Sequence, residues 1–249
     1  MTSAPAAPDD SSARLRAWST RLRAAAALTL GANPRLDEDT IARFADEAGS
    51  RRASDAWVLR WMMRGDADDS TVLQAPASPP AADAADVRLW RALSPAHFDA
   101  RAVDDLVALD AQRDAWTPPV VRIDVTARGP SALEVETERQ LSALQALWHL
   151  ARLHQRADWR AHALRAAAWF VENIQPDNAT GHAWALAVFV SAGEMCRAAQ
   201  ALESSREHDL YAQTLLHNAQ VNFGRPDLLS AWLLLDAARA VDREPAAPR

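Results

Sequence analysis

The 249-residue chain contains no lysine; all 27 of its basic residues are arginine. This excludes a lysine nucleophile, a Schiff base and the phosphate-binding lysine of a P-loop. A single cysteine, Cys196, excludes an internal disulfide and any cysteine-rich zinc site. Glycine is scarce, at seven residues, and no glycine-rich phosphate loop or Gly-x-Ser-x-Gly elbow occurs. Also missing are a His-Glu-x-x-His pair and an Asp-rich calcium loop. The net charge of −6 argues against a nucleic-acid groove. The longest apolar stretch near the N-terminus, Ala24 to Leu30, falls far short of the roughly 20 residues a membrane span needs.

What is abundant is alanine, at 56 positions, and tryptophan, at 10. Hydrophobic residues make up 49% and charged residues 24%, a globular composition biased toward helix. Alanine-rich helices approach closely but bury little area each, so the aromatic side chains must supply much of the core. Trp148, Trp169, Trp184 and Trp232 fall in successive expected helices and are read as inward-pointing. The fold class expected is all-α, an array or bundle of antiparallel helical hairpins.

The pattern divides the chain into a disordered tail (1–11), N-terminal helices (12–64), a linker (65–82), a helical-hairpin domain (83–242) and a frayed tail (243–249). Residues 12–30 form the first helix, with Leu15, Trp18, Leu22 and Ala25 on one face. Arg14, Arg16, Arg21 and Arg23 precede an apolar stretch, as in a signal peptide, but that stretch is mostly Ala and the amphipathic spacing favours a structural helix. A second helix starts near Asp37 or Asp39 and stops at Gly49. A third carries Trp57 and Trp61 and ends at Gly65. After a short helix at 85–93, Ser94-Pro95 is read as the start of a helix reaching about Trp116. Val121, Ile123 and Val125 alternate with polar residues, and Leu133 to Val135 form a return strand, so a minor β-ribbon is expected near 120–136. Helices follow at about 137–155, 158–174, 180–202, 206–222 and 226–242, with Asp158 capping the second.

Pro176-Asp177 followed by Ala183-Trp184-Ala185-Leu186 is matched, about one hairpin later, by Pro226-Asp227 followed by Ala231-Trp232-Leu233-Leu234. With this period and tryptophan placement, 137–242 resembles α/α-hairpin proteins, nearest in architecture to the α/α-toroid of six-hairpin glycosidases, polysaccharide lyases and terpene-cyclase-like folds. The acidic motifs of terpene cyclases are absent. The resemblance implies stacked hairpins and, in its enzymatic members, a polar cleft at one end.

In an antiparallel stack the helices starting near 137, 180 and 226 share one pole. That pole collects Glu134, Glu136, Glu138, Asp177, Asn178, Thr180, His182, Asn222, Arg225 and Asp227. Glu136 or Glu138 with Asp177 or His182 are the candidate acid–base groups, since paired carboxylates suit glycosidic chemistry. Asn178, Trp184, Asn222, Arg225 and Asp227 are the candidate ligand-binding residues. The competing reading makes Asp177, Asn178 and Thr180 helix caps and Asp227 and Glu138 first-turn acids. No metal site and no cofactor are expected; His149 and His154 are five apart and share no helix face. His217-Asn218 is read as a polar pair in a buried helix, and Cys196 as a packed core residue.

The function expected first is a helical-hairpin scaffold or interaction module. The alternative is an α/α-toroid-like enzyme on carbohydrate or another polar substrate, using the Glu/Asp/His cleft. Partners expected are a protein or a small polar ligand, with no nucleic acid and no membrane span, in the cytoplasm. A third reading lets helix 12–30 dock on a membrane surface or a partner helix through its arginines.

Overall fold

A computed structural model describes residues 11–32, 34–37, 39, 41, 57–62, 84–107, 120–121, 133–175, 181–221 and 224–244. Among these the chain is helical: α1 (Ser11–Leu30), α2 (Ala85–Ala92), a 3₁₀ turn (Pro95–His97), α3 (Ala100–Val107), α4 (Leu133–Leu153), α5 (Ala157–Asn173), α6 (Leu186–Ala198), α7 (Leu202–Val221) and α8 (Leu228–Asp242). Residues 57–62 are helical as well. The all-α hairpin reading holds. Of the expected helix at 37–49 only residues 37, 39 and 41 are described, the last two as helical; residues 63–83 and 122–130 lie outside the described residues.

Three helices form the interior. Residues 141–151 of α4, 186–194 of α6 and 229–238 of α8 are buried on every side. A helix that is apolar all round belongs in a core, and Leu228 to Ala240 read LLSAWLLLDAARA. Around them pack α1, α2, α5 and α7. Helix α1 lies antiparallel along α8: Thr29 Oγ1 donates to the Pro226 carbonyl near one end, and Arg23 Nη2 reaches Asp242 Oδ2 at 2.6 Å near the other. Arg14 grips Glu194 of α6 with two bonds of 2.7 Å, and Ser11 Oγ adds a third of the same length. Burial acts to raise the Glu194 carboxyl, but these donors outweigh it and hold it below the usual glutamate range. Two of the four arginines proposed for outside docking are therefore spent on the helix's own fold.

Several local expectations are corrected. The return strand at Leu133–Val135 is the first turn of α4, so the β-ribbon near 120–136 has no strand among its described residues. Val120 and Val121 instead lie buried against α4, where Gln140 Oε1 accepts from both of their N–H groups at 3.1 Å. Ser94-Pro95 starts only the 3₁₀ turn. The helix after it is capped by Asp99, whose Oδ1 accepts from Arg101 N at 2.9 Å. Asp158 does not cap α5; it sits in the first turn and pairs with Arg156 at 2.6 Å, which lowers its pKa to about 2. His217 is exposed, not core. Trp148, Trp184 and Trp232 are buried, but Trp169 is only half-buried.

The described parts of the sequence repeat are not structurally equivalent; Pro176-Asp177 lies outside the described residues. Pro226-Asp227 abuts its helix, and Asp227 caps it by accepting from Ser230 N at 2.7 Å. Ala231-Trp232 then lies inside α8. Ala183-Trp184-Ala185 precedes α6, in a turn whose last residue, Ala185, has φ of 55°. The expected start of this helix at 180 moves to 186 for that reason.

Candidate functional site

The central helix α4 carries two adjacent stripes. Leu141, Leu144 and Trp148 form the apolar one. Beside it run Glu138, Ser142, Gln145 and His149, spaced four, three and four residues apart, so that one helix face presents them in a line. All four are buried. A buried polar group needs a partner, and each of these has found one on another helix or turn.

Glu138 marks the outer end. Trp184 Nε1 donates to its Oε1 at 3.1 Å, and His182 Nε2 lies 3.7 Å from the same oxygen. The other ring nitrogen, His182 Nδ1, is 2.9 Å from Ser230 Oγ and 3.3 Å from Asp227 Oδ2. One imidazole thus joins the start of α4, the turn before α6 and the first turn of α8. Burial acts to raise the Asp227 carboxyl, but its bonds to His182 and to Ser230 outweigh that and set it below the usual aspartate range. Solvent reaches this cluster: His182 is 24% exposed and Asp227 45%. Ser230 is fully buried.

Of the residues singled out from sequence, the structure brings Glu138, His182, Trp184 and Asp227 together. Glu136 does not join them; it stays on its own helix, 3.6 Å from Arg139 and 3.5 Å from Gln140. Arg225 is exposed in the turn before α8. Asp177, Asn178, Thr180 and Asn222 lie outside the described residues, as does the side chain of Glu134. The shared pole itself is as expected, since Glu138 and Asp227 contact the same ring.

Sequence reasoning missed the inner half of the stripe. His149 Nε2 lies 2.7 Å from Asp236 Oδ2 of α8, and Gln145 Nε2 donates to the same oxygen at 2.8 Å. Gln145 Oε1 turns the other way and accepts from Ala185 N at 3.0 Å, fixing the left-handed residue that starts α6. Trp61 and Trp90 flank His149 with ring centroids at 5.4 and 6.0 Å. Trp90 Nε1 donates to Ser142 Oγ at 3.0 Å, and Asp86 is buried beside the same hydroxyl. Two signals were available. Asp236 is the lone charge in Leu233-Leu234-Leu235-Asp236-Ala237-Ala238, and an acid in such a run is retained only when paired. The 4–3–4 spacing of polar residues beside an apolar seam was the other.

No group of three or more metal-ligating side chains is assembled among the described residues. No helix among them is long and apolar enough to cross a membrane. Comparison with protein-family models, with curated proteins and with solved structures finds no match. The arrangement at His182 has the chemistry of an interhelical clasp: a ring whose Nδ1 meets a hydroxyl and a carboxylate and whose Nε2 faces a second carboxylate.

Proposed function

We propose that the protein is a helical-hairpin scaffold or interaction module, in which Glu138, His182, Asp227 and Ser230 clasp three helices together. The observation that carries this reading is the placing of one His182 ring between Glu138 of α4, 3.7 Å from Nε2, and Ser230 and Asp227 of α8, 2.9 and 3.3 Å from Nδ1, with Ser230 fully buried. A general acid or base keeps a lone pair or proton directed at substrate; here Nδ1 is taken by groups of α8 and Nε2 faces Glu138 of α4. A protein partner or a small polar ligand fits such a module. A cytoplasmic location belongs to the same reading, supported by the lone thiol, Cys196, which needs no oxidising compartment.

A second reading keeps the pole as the cleft of an enzyme on carbohydrate or another polar substrate. One observation favours it: Glu138 and Asp227 face opposite nitrogens of one ring, which puts two carboxylates within about 10 Å of each other, the spacing range of glycosidase pairs.

Thermal unfolding separates the two. A clasp residue contributes stability, so Glu138→Gln, His182→Ala and Ser230→Ala should each lower stability, by about 1–3 kcal/mol where a buried partner is orphaned. Catalytic groups are held at a cost to stability, and replacing them leaves it unchanged or raises it. Variants at Glu138 and His182 as stable as the parent would overturn the clasp.

A further inference from the structure

A groove of about 550 Å³ runs along the seam between α1 and α8, and its described lining is positively charged in a chain that is net negative. Arg23, Arg35 and Arg239 line it, and among the described residues no acidic side chain does. The other described residues of the wall are apolar or glycine, including Leu30, Pro34 and Leu235, with alanines of α1 between them. In a chain of net charge −6 this gathers three arginines on one concave surface of mixed polar and apolar character.

The three cations differ in how far they are neutralised. Arg23 pairs with Asp242 at 2.6 Å, with both side chains nearly half exposed. Arg239 Nη1 reaches the Met62 carbonyl at 3.4 Å, near the long limit for a hydrogen bond, and its charge also bears on buried Asp236. Arg35 is exposed and makes no ion pair among the described residues. The groove exists because α1 ends here. Gly31 takes φ of 72°, its N–H closes the last turn on Ala27, and the chain turns away through Pro34. The alanine face of α1 is too short to fill the space beside Leu235.

We propose that this groove binds a single-chain anionic amphiphile, with a carboxylate or phosphate head on an apolar tail. The volume lies in the range of small-ligand sites, roughly 300–1,000 Å³. Planar guanidinium groups suit carboxylate and phosphate oxygens in a bidentate manner. The alanine and leucine floor gains by losing water to an alkyl chain. A cationic amphiphile would set like charge against all three arginines. This inference stands apart from the clasp at His182, which lies on other residues.

The test is calorimetric titration of the full chain with dodecanoate and with dodecyl phosphate, each kept below its micelle concentration. Dodecyltrimethylammonium and dodecyl maltoside are the cationic and neutral controls. Saturable binding of one or both anions, and of neither control, is expected. Ala27 is exposed and lines the groove, so Ala27→Trp fills it without burying strain and should abolish binding. Arg35→Gln, also at an exposed position, should weaken it by about tenfold. Unfolding curves of both variants should overlay the parent. Preference for only one anion would identify the head group within the same proposal. Three results would overturn it: no saturable binding of either anion, equal binding of the cation, or binding indifferent to Ala27→Trp. A fourth would do so too, namely binding seen only after Asp66, Asp68 and Asp69 are all changed to Asn, which would assign the groove to the chain's own acidic stretch.

Discussion

Asp236 Oδ2 lies 2.7 Å from His149 Nε2 in the middle of the core, between α8 and α4. Gln145 holds the same oxygen, and through its other end it holds the backbone of Ala185. The start of α6, and with it the position of Trp184 against Glu138, therefore depends on an ion-pairing group three helical turns inside the protein.

Removing one member of that pair leaves the other buried without compensation, at a cost of about 3–5 kcal/mol. Asp236→Leu should accordingly unfold at markedly lower denaturant than the parent. The double variant His149→Leu/Asp236→Leu should recover part of the loss, because an apolar pair of similar size suits the site. Burial acts to raise the Asp236 carboxyl, but His149 and Gln145 bring it below the usual aspartate range. The folded value is the lower one, so its contribution is complete above the unfolded value near pH 4 and is lost as pH falls through the folded value. Denaturant melts from pH 6 down to pH 2 should show a smaller loss in the double variant than in the parent, the remainder coming from Glu194, Asp227 and Asp158.

Ala185 carries φ of 55° and ψ of 15°, a conformation glycine adopts without steric cost. Ala185→Gly keeps the N–H that donates to Gln145 and relieves the Cβ clash. It should raise stability by about 0.5–1 kcal/mol net of the entropy gained by the unfolded chain. A drop in the unfolding midpoint would show that the turn is held at no such cost.

Asp86 behaves oppositely to Asp236. Burial raises its carboxyl above the usual range, and the Val87 N–H, Ser142 and Arg139 offset only part of this. Its Oδ1 makes no hydrogen bond among the described residues. The folded value is the higher one, so stability is complete below about pH 4 and declines as pH rises through the folded value. Asn cannot ionise, so Asp86→Asn should match the parent in acid and exceed it near neutrality. The checking measurement is the difference in thermal midpoint at pH 4 and pH 7.

At Gly193, α6 lies close against α7. A Cβ there would stand 3.1 Å from Asp209 Oδ1 and 3.4 Å from the Ser205 carbonyl oxygen. The aspartate end is flexible, but the carbonyl belongs to a helix backbone. Gly193→Val should part the two helices and cost about 1–3 kcal/mol, seen as a lower midpoint and faster amide exchange in 186–221. Gly193→Ala, whose contact falls mainly on Asp209 and whose helix propensity is higher, should be much milder.

The legible part of this protein was its periodicity. Leu141, Leu144 and Trp148 recur at helical spacing, so α4 was placed within a few residues, and the helix expected at 226–242 lies within two residues of α8 at each end. The pole shared by Glu138 and Asp227 followed from helix order alone, because antiparallel rods of similar length alternate their ends. Where local signals misled, the cause lay outside the segment. Leu133 to Val135 alternate like a strand but extend α4, since Gln140 occupies Val120 and Val121 and leaves them no strand partner. Ala183-Trp184-Ala185 reads as helix, yet Gln145 captures the Ala185 N–H and delays the turn.

Composition and spacing determined that the chain would fold as helices, which faces would be apolar, and which chemistries were missing. Those properties depend on each residue and its near neighbours along the chain. Only the tertiary structure decided which nitrogen of His182 meets which acid, that Asp236 rests on His149, and that three arginines distant in sequence edge one groove. Such pairings depend on how neighbouring helices pack across space, which the order of residues along any single helix does not specify.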